Sequence, residues 1–208
     1  TFHPIIFSGL KSLIGKNYVE RAVLKAIENK IAIYAIHTAF DNDYFGVNFG
    51  ICEKLGLKNQ QILMPKSENL KKLEVYVPKD YSEKVKNALF EAGAGNIGFY
   101  DECSFSISGM GTFRPMEGSN PFSGKLNIPQ NADEEIISVI FENFKQNQII
   151  SAMKLAHPYE EVAYQIIQLE NNNHFSGLGR FGDFENEMEE NDFLSFVKEK
   201  FNLKIIRH

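Results

Sequence analysis

Ile31-Ala32-Ile33-Tyr34-Ala35-Ile36-His37-Thr38-Ala39-Phe40-Asp41-Asn42-Asp43-Tyr44-Phe45-Gly46-Val47-Asn48 begins with an unbroken apolar run and ends in polar chemistry. The run is too short for a helix and rich in Ile, so it predicts a β-strand buried on both faces. His37 follows its last apolar residue, Asp41 comes four positions later, and Gly46 closes the turn before the next apolar segment. Ligands of open α/β sheets bind at the carboxyl ends of strands, which is where this reading puts His37 and Asp41. The same pair also serves as a hydrogen-bonded structural turn, and spacing alone does not separate the two uses.

Working outward, His3-Pro4 reads as the carboxyl end of an earlier strand, because Pro4 removes a donor and biases His3 toward extended backbone. Asn17 with Glu20 three residues later predicts a capped helix, and Val19, Val23, Ala26 and Ile27 recur on one side of it. Strand, helix and strand in this length make a βαβ unit with parallel neighbours, so His3 and His37 are expected at one sheet edge. Beyond Gly46, Val47, Ile51 and Leu55 form a second helical stripe. Gly56 stops it, and Gln61 to Met64 reads as a short strand.

The middle of the chain has a different period. Leu73, Val75 and Val77 alternate with polar residues, and Asp80 with Glu83 opens a helix whose inner face is Val85, Ala88, Leu89 and Ala92. Phe99 to Ile107 is the next expected strand, followed by a Gly-rich excursion from Gly109 to Gly124. Then come a strand over Glu135 to Phe141, a helix over Gln146 to Ala156 and a strand over Val162 to Leu169. The order βαββαβ is that of a ferredoxin-like α+β domain set inside an α/β main domain. The expected boundaries are 1–69 for the first part of the main domain, 70–171 for the insert and 172–208 for the second part.

Glu170 to Asn173 reads as a linker. The match of Gly177-Leu178-Gly179-Arg180-Phe181-Gly182 to GxGxxG is read as a turn, since no helix start follows it as a dinucleotide site requires. Gly118 to Gly124-Lys125 likewise fails as a phosphate loop, because its glycines are misspaced and Leu126 stands where Ser or Thr would hold magnesium. Glu185 to Asp192 precedes a helix carrying Phe193, Phe196 and Val197, and reads as the acidic start of that helix.

Composition excludes several classes. The chain has 208 residues, 43% hydrophobic and 24% charged, enough for one sizeable core or two small ones. A net charge of -5 with scattered Lys and Arg gives no electrostatic footprint for nucleic acid. Cys52 and Cys103 form no CxxC, and no apolar run reaches membrane length, so free thiols in a reducing cytoplasm are expected. The first residue is Thr1, Phe2 to Phe7 starts in mid-pattern, and Lys204 to His208 stops as a strand begins, so the chain reads as truncated at both ends.

His157, at a helix end before Pro158, reads as an imidazolium meeting the helix dipole; His174 falls in the linker and His208 is terminal. His3, His37 and Asp41 are left at one predicted edge. Imidazole and carboxylate together suit zinc, manganese or iron, and hydrolysis uses such a metal to lower the pKa of bound water.

The segments His3-Pro4-Ile5-Ile6-Phe7, His37-Thr38-x-x-Asp41 with Gly46-Val47-Asn48, and His157-Pro158-Tyr159-Glu160-Glu161-Val162-Ala163-Tyr164 together resemble the Nif-three-like family, whose members also go by GTP cyclohydrolase I type 2. Glu91 to Gly95, Gly118 to Phe122 and Gly177 to Arg180 extend the resemblance across the chain. It implies an α/β main domain with a mixed or parallel sheet, a ferredoxin-like insert similar to CutA and PII proteins, two divalent metals per intact subunit, and ring-shaped homo-oligomers. His3 matches the second ligand of the family's HHP motif, while Phe2 stands at the first and cannot bind metal. Asp41 matches the ligand aspartate of HTxxD, and His37 is implied to lie beside the metals as a substrate contact or proton carrier. The family's later His-x-x-x-Glu pair has no match here. Two readings stay open: a metal-dependent hydrolase acting on a nucleotide, with His37 catalytic, and a non-catalytic metal-binding regulatory protein that assembles through its insert.

Overall fold

The computed structural model describes Thr1 and residues 3–207; Phe2 and His208, and the expectations attached to them, lie outside the described residues. The chain forms two compact units, one from residues 1–65 and 175–208 and the other from 66–174.

In the first unit, α1 (Tyr18–Glu28) starts as its sequence predicts. The Asn17 side chain accepts from the Glu20 amide at 2.9 Å, while the Glu20 carboxylate accepts from the amides of Ile14 and Lys16 at 3.1 and 2.9 Å. These bonds satisfy donors that a helix start leaves open. The Lys16 amide above all, partly offset by desolvation, holds the Glu20 carboxyl below its usual pKa.

Residues 31–36 carry no regular secondary structure and do not form the expected strand buried on both faces. Ile31 is 61% exposed and Tyr34 76%. The Thr1 amino group donates to the Tyr34 carbonyl at 2.7 Å and the Ile36 amide donates to the Thr1 carbonyl at 3.2 Å. That is the pattern of parallel strands, reduced to a single rung. Apolar sequence supplies strand propensity, but a buried strand also needs a ladder and a covering layer, and Thr1 supplies the only cross-strand rung among the described residues. The strand expected to start near Lys204 is absent among the described residues.

After a turn come α2 (Ala39–Asn42) and α3 (Val47–Leu55). Gly46 joins them because a Cβ there would lie 1.9 Å from the Phe40 carbonyl oxygen. Gly56, at φ 72°, closes α3 in the left-handed region as predicted. Strand β1 (Lys58–Lys66) pairs with β6 (Asn173–Asp183). Gly177 abuts the Met64 carbonyl and Gly182 that of Lys58, so the two strands run in opposite directions. The Gly177 to Gly182 motif and His174 therefore lie in a strand, not in the expected turn and linker. The glycines admit the close approach of β1 rather than bending the chain. Helix α6 (Glu190–Phe201) follows, with Glu190 and Asp192 at its start and Lys198 and Lys200 at its end. This matches the predicted dipole-complementary order, and Phe184 packs against Phe193 and Phe196 at centroid distances of 6.0 and 5.9 Å.

The second unit runs β2 (Leu70–Pro78), α4 (Ser82–Glu91), β3 (Ser104–Phe113), β4 (Gln130–Glu142), α5 (Gln146–Ala156) and β5 (Tyr164–Leu169). The sheet order is β3-β4-β2-β5, and each of its pairings is antiparallel. Leu73, Val75 and Val77 of β2 share one face with Ile137 and Val139 of β4 and bury against Val85, Leu89, Ile149 and Met153 of the two helices. The alternation that predicted these strands is thus the alternation of a sheet covered on one face.

Two local expectations change. Strand β3 begins at Ser104 rather than Phe99 and takes in Gly109 and Gly111, because the Glu134 carboxylate of β4 lies over Gly111 where a side chain would collide with it. Asp80 does not cap α4; a 3-10 turn over Lys79–Tyr81 precedes that helix, and the Ser82 hydroxyl instead donates to Glu135. Among the described residues no helix is long and apolar enough to cross a membrane.

Candidate functional site

His3 and His37 come together in the first unit. Their ring centroids are 5.5 Å apart, and Phe7 completes a cluster at 6.3 Å from His3 and 5.8 Å from His37. His3 is set by the single parallel rung at Thr1, whose hydroxyl also donates to the His3 carbonyl at 2.9 Å. His37 sits at φ 44°, a left-handed conformation uncommon for a residue with a side chain. The chain turns there from residues 31–36 into Thr38, the N-cap of α2.

Asp41 lies one helical turn after His37, within α2. Its carbonyl accepts from Asn48 Nδ2 at 2.9 Å, so the spacing between the two polar segments has a structural use in this chain's own turn. Downstream, the Asp43 carboxylate accepts from the Phe45 amide at 2.9 Å, and Asp43 forms an isolated antiparallel bridge with Ser176 of β6.

Arg180 holds this turn from β6. Its guanidinium donates to the Tyr44 carbonyl at 2.7 Å and to Gln60 Oε1 at 3.0 Å. It also lies over the rings of Tyr44 and Phe49 at 4.2 and 5.1 Å, and Phe175 stacks on Tyr44 at 4.6 Å. Sequence reasoning gave Arg180 no role here, since nothing in a strand residue's immediate neighbours announces a contact 136 positions away. The only cue was an arginine on a glycine-rich strand, a residue type suited to forked hydrogen bonding and ring stacking.

The fit to a metal is partial. The 5.5 Å between the ring centroids puts His37 next to any ion that His3 would hold, as a proton carrier beside the metal requires. Imidazole and carboxylate are also the right donor chemistry. Among the described residues, however, no three His, Cys, Asp or Glu side chains are grouped to hold an ion.

His157 differs from its expected role. It ends α5, but it is buried, and its ring contacts β2 rather than serving as a charged cap. Burial lowers its pKa, so the ring is neutral rather than an imidazolium. Cys52 is buried in α3 and Cys103 is a second free thiol; burial raises the Cys52 pKa, which disfavours its thiolate.

The family model Duf34/NIF3 (NGG1p interacting factor 3) matches residues 1–208. A relative from Bacillus subtilis (strain 168) named "GTP cyclohydrolase 1 type 2 homolog" is 41% identical over 206 residues, covering 99% of this chain and 55% of the relative. One of the same name from Halalkalibacterium halodurans is 40% identical over 206 residues, with the same coverage of both chains. The crystal structure of a Bacillus cereus protein related to NIF3 superposes with a TM-score of 0.80 at 40% identity, covering 99% of this chain and 55% of that one. The chain thus spans about half the length of the relatives it matches.

Proposed function

Since the chain belongs to the Duf34/NIF3 family, we propose that the intact protein is a divalent-metal-binding protein, using zinc, iron or manganese, and that it hydrolyses a nucleotide. The observation that carries this reading is the pairing of the His3 and His37 rings at 5.5 Å beside the turn bearing Asp41. The name shared by the relatives, GTP cyclohydrolase 1 type 2 homolog, supports a purine nucleotide as the substrate class. Bound metal would supply a water acidic enough to act as hydroxide near neutral pH. His3 and Asp41 would hold metal. His37 would take or return a proton at a ring nitrogen, a role suited to imidazole near neutrality. Arg180 would keep the Asp41 turn in place through Tyr44.

In the finer architecture we read the second unit as a ferredoxin-like insert of the CutA and PII kind, supported by its βαββαβ order and its β3-β4-β2-β5 sheet. The main domain completes a mixed or parallel sheet in this reading, for which the rung at Thr1 is the support. The protein acts in the cytoplasm.

A second reading has its own observation. Edge strand β3 exposes Phe105, Ile107 and Met110 by 66, 53 and 64%. Exposed apolar edge strands are surfaces that proteins pair or cover. A non-catalytic regulatory protein that assembles into a ring of identical subunits through its insert would use them so.

Elemental analysis of the intact protein and its Asp41→Ala variant tests metal binding. Metal in the parent and a clear deficit in the variant support the site, whereas equal content in both removes it. Turnover of metal-loaded intact protein against a nucleotide panel separates the two readings, with no turnover above a metal-free control deciding for the second.

A further inference from the structure

The second unit contains a cavity of about 400 Å³ that plays no part in the reading above. Three loop segments build it. Tyr159 to Glu161 form one side, the Ser119 to Ser123 part of the failed phosphate loop forms another, and Gly111 to Pro115 of β3 and its exit complete it.

The cavity is a defined structure rather than a surface accident. His157 Nε2 donates to the Tyr76 carbonyl at 2.9 Å, while its Nδ1 accepts from the Tyr159 amide at 3.1 Å, which fixes the backbone that carries Tyr159. Glu160 accepts from the Asn120 amide at 2.8 Å and ties the second loop to the first. Phe122 packs edge-on against Tyr81 at 5.5 Å and lies 5.9 Å from Tyr159. The Tyr159 hydroxyl donates to Glu134 Oε1 at 3.0 Å, and the other oxygen of Glu134 lies over Gly111, where any Cβ would collide with it. Burial first, and then Glu134, push the Tyr159 hydroxyl up to about 12, so it stays a donor at neutral pH.

Its lining pairs aromatic faces with negative charge. Tyr76, Phe113, Phe122 and Tyr159 supply the rings, while Glu134, Glu160 and Glu161 stand against the single guanidinium of Arg114. Aromatic faces attract cations through the ring quadrupole, and carboxylates in a partly enclosed site strengthen that preference. An anionic ligand would meet an excess of like charge. A bare metal ion would find ring carbons where it needs donor atoms.

We propose that this cavity binds a small organic cation, with an ammonium group seated among Tyr76, Phe122 and Tyr159 and Glu134 as its counter-ion. The size of the cavity suits a compact amine or quaternary ammonium rather than a chain or a nucleic acid. His157 and Gly111 are positioning residues that hold the ring and the carboxylate in place.

Calorimetric titration of the purified protein with choline, with benzylamine and with dimethylbutanol, the uncharged carbon isostere of choline, tests the proposal. Expected is saturable binding of at least one of the two cations. Choline, if it binds, should do so about tenfold more tightly than its isostere, and the bound cation should lose about tenfold on Glu134→Gln or Phe122→Ala. Phe122 is half exposed, so its replacement leaves the fold standing even where a change at Glu134 does not. Chemical-shift changes should map to Tyr76, Phe122 and Tyr159. No saturable binding of either cation, equal binding of choline and its isostere, or unchanged affinity in both variants would each overturn it.

Discussion

The imidazole of His157 bridges to the carbonyl of Tyr76, 81 residues earlier in the chain, at 2.9 Å, and so ties the end of α5 to β2. Because burial lowers the pKa of this ring, its contribution to stability is present above the unfolded value of about 6.5 and is lost as pH falls through the lower folded value. Urea denaturation should therefore show stability falling between about pH 7 and pH 5, with part of that slope missing in His157→Gln. His157→Ala should cost about 1–3 kcal/mol at neutral pH, since the Tyr76 carbonyl and Tyr159 amide both lose a partner. An identical pH dependence in parent and Gln variant would contradict this account.

Two apolar truncations separate a real core from an apolar-looking segment. Leu89 is fully buried between the sheet and α5, so Leu89→Ala should destabilise the second unit by about 2–5 kcal/mol. Ile33, in the run that reads as a buried strand, is 42% exposed, and Ile33→Ala should cost less than about 1 kcal/mol. Denaturant midpoints read out both. A comparable loss at Ile33 would restore the sequence-based reading of residues 31–36 as buried.

That contrast marks where sequence was legible. In the second unit the period-two pattern of Leu73, Val75 and Val77 meets a complete set of partners within the same hundred or so residues, so pattern and burial agree. The capped start at Asn17 and the Gly56 stop were legible because their partners are a few residues away. Residues 31–36 carry an equally clear pattern, but burial depends on neighbours that a local window does not contain. The candidate site divides likewise. The approach of His3 and His37 goes with the two bonds that tie Thr1 to Tyr34 and Ile36, the remnant of the parallel pairing that the sequence predicts, whereas the Arg180 clamp and the strand identity of Gly177 to Gly182 depend on contacts more than a hundred residues apart.

Glycine substitutions test the close approaches. A Cβ at Gly46 would lie 1.9 Å from the Phe40 carbonyl oxygen, and one at Gly177 would lie 2.2 Å from that of Met64. Backbone cannot yield as a side-chain tip can, so Gly46→Ala and Gly177→Ala should each cost about 1–3 kcal/mol or more. By contrast, Gly109, with open space around its Cβ position, should accept Ala with a change under about 1 kcal/mol. Thermal melts of the three variants give the ranking, and equal tolerance of Ala at all three positions would refute it.

Arg180 offers the sharpest test of how the Asp41 turn is held. Lysine keeps the charge but loses the planar fork, so it cannot donate to Tyr44 and Gln60 together while covering the rings of Tyr44 and Phe49. Arg180→Lys should therefore destabilise the first unit by about 1–3 kcal/mol, much as the loss of a charge-assisted bond to a carbonyl would. If the Asp41 turn also holds metal in the intact protein, the same variant should lose metal without touching a ligand. The two effects are separable: hydrogen exchange at the amides of residues 41–49 reports the turn, and elemental analysis reports the ion. Faster exchange with unchanged metal content would keep the clamp and exclude Asp41 as a ligand that depends on it, whereas unchanged exchange would remove the clamp itself.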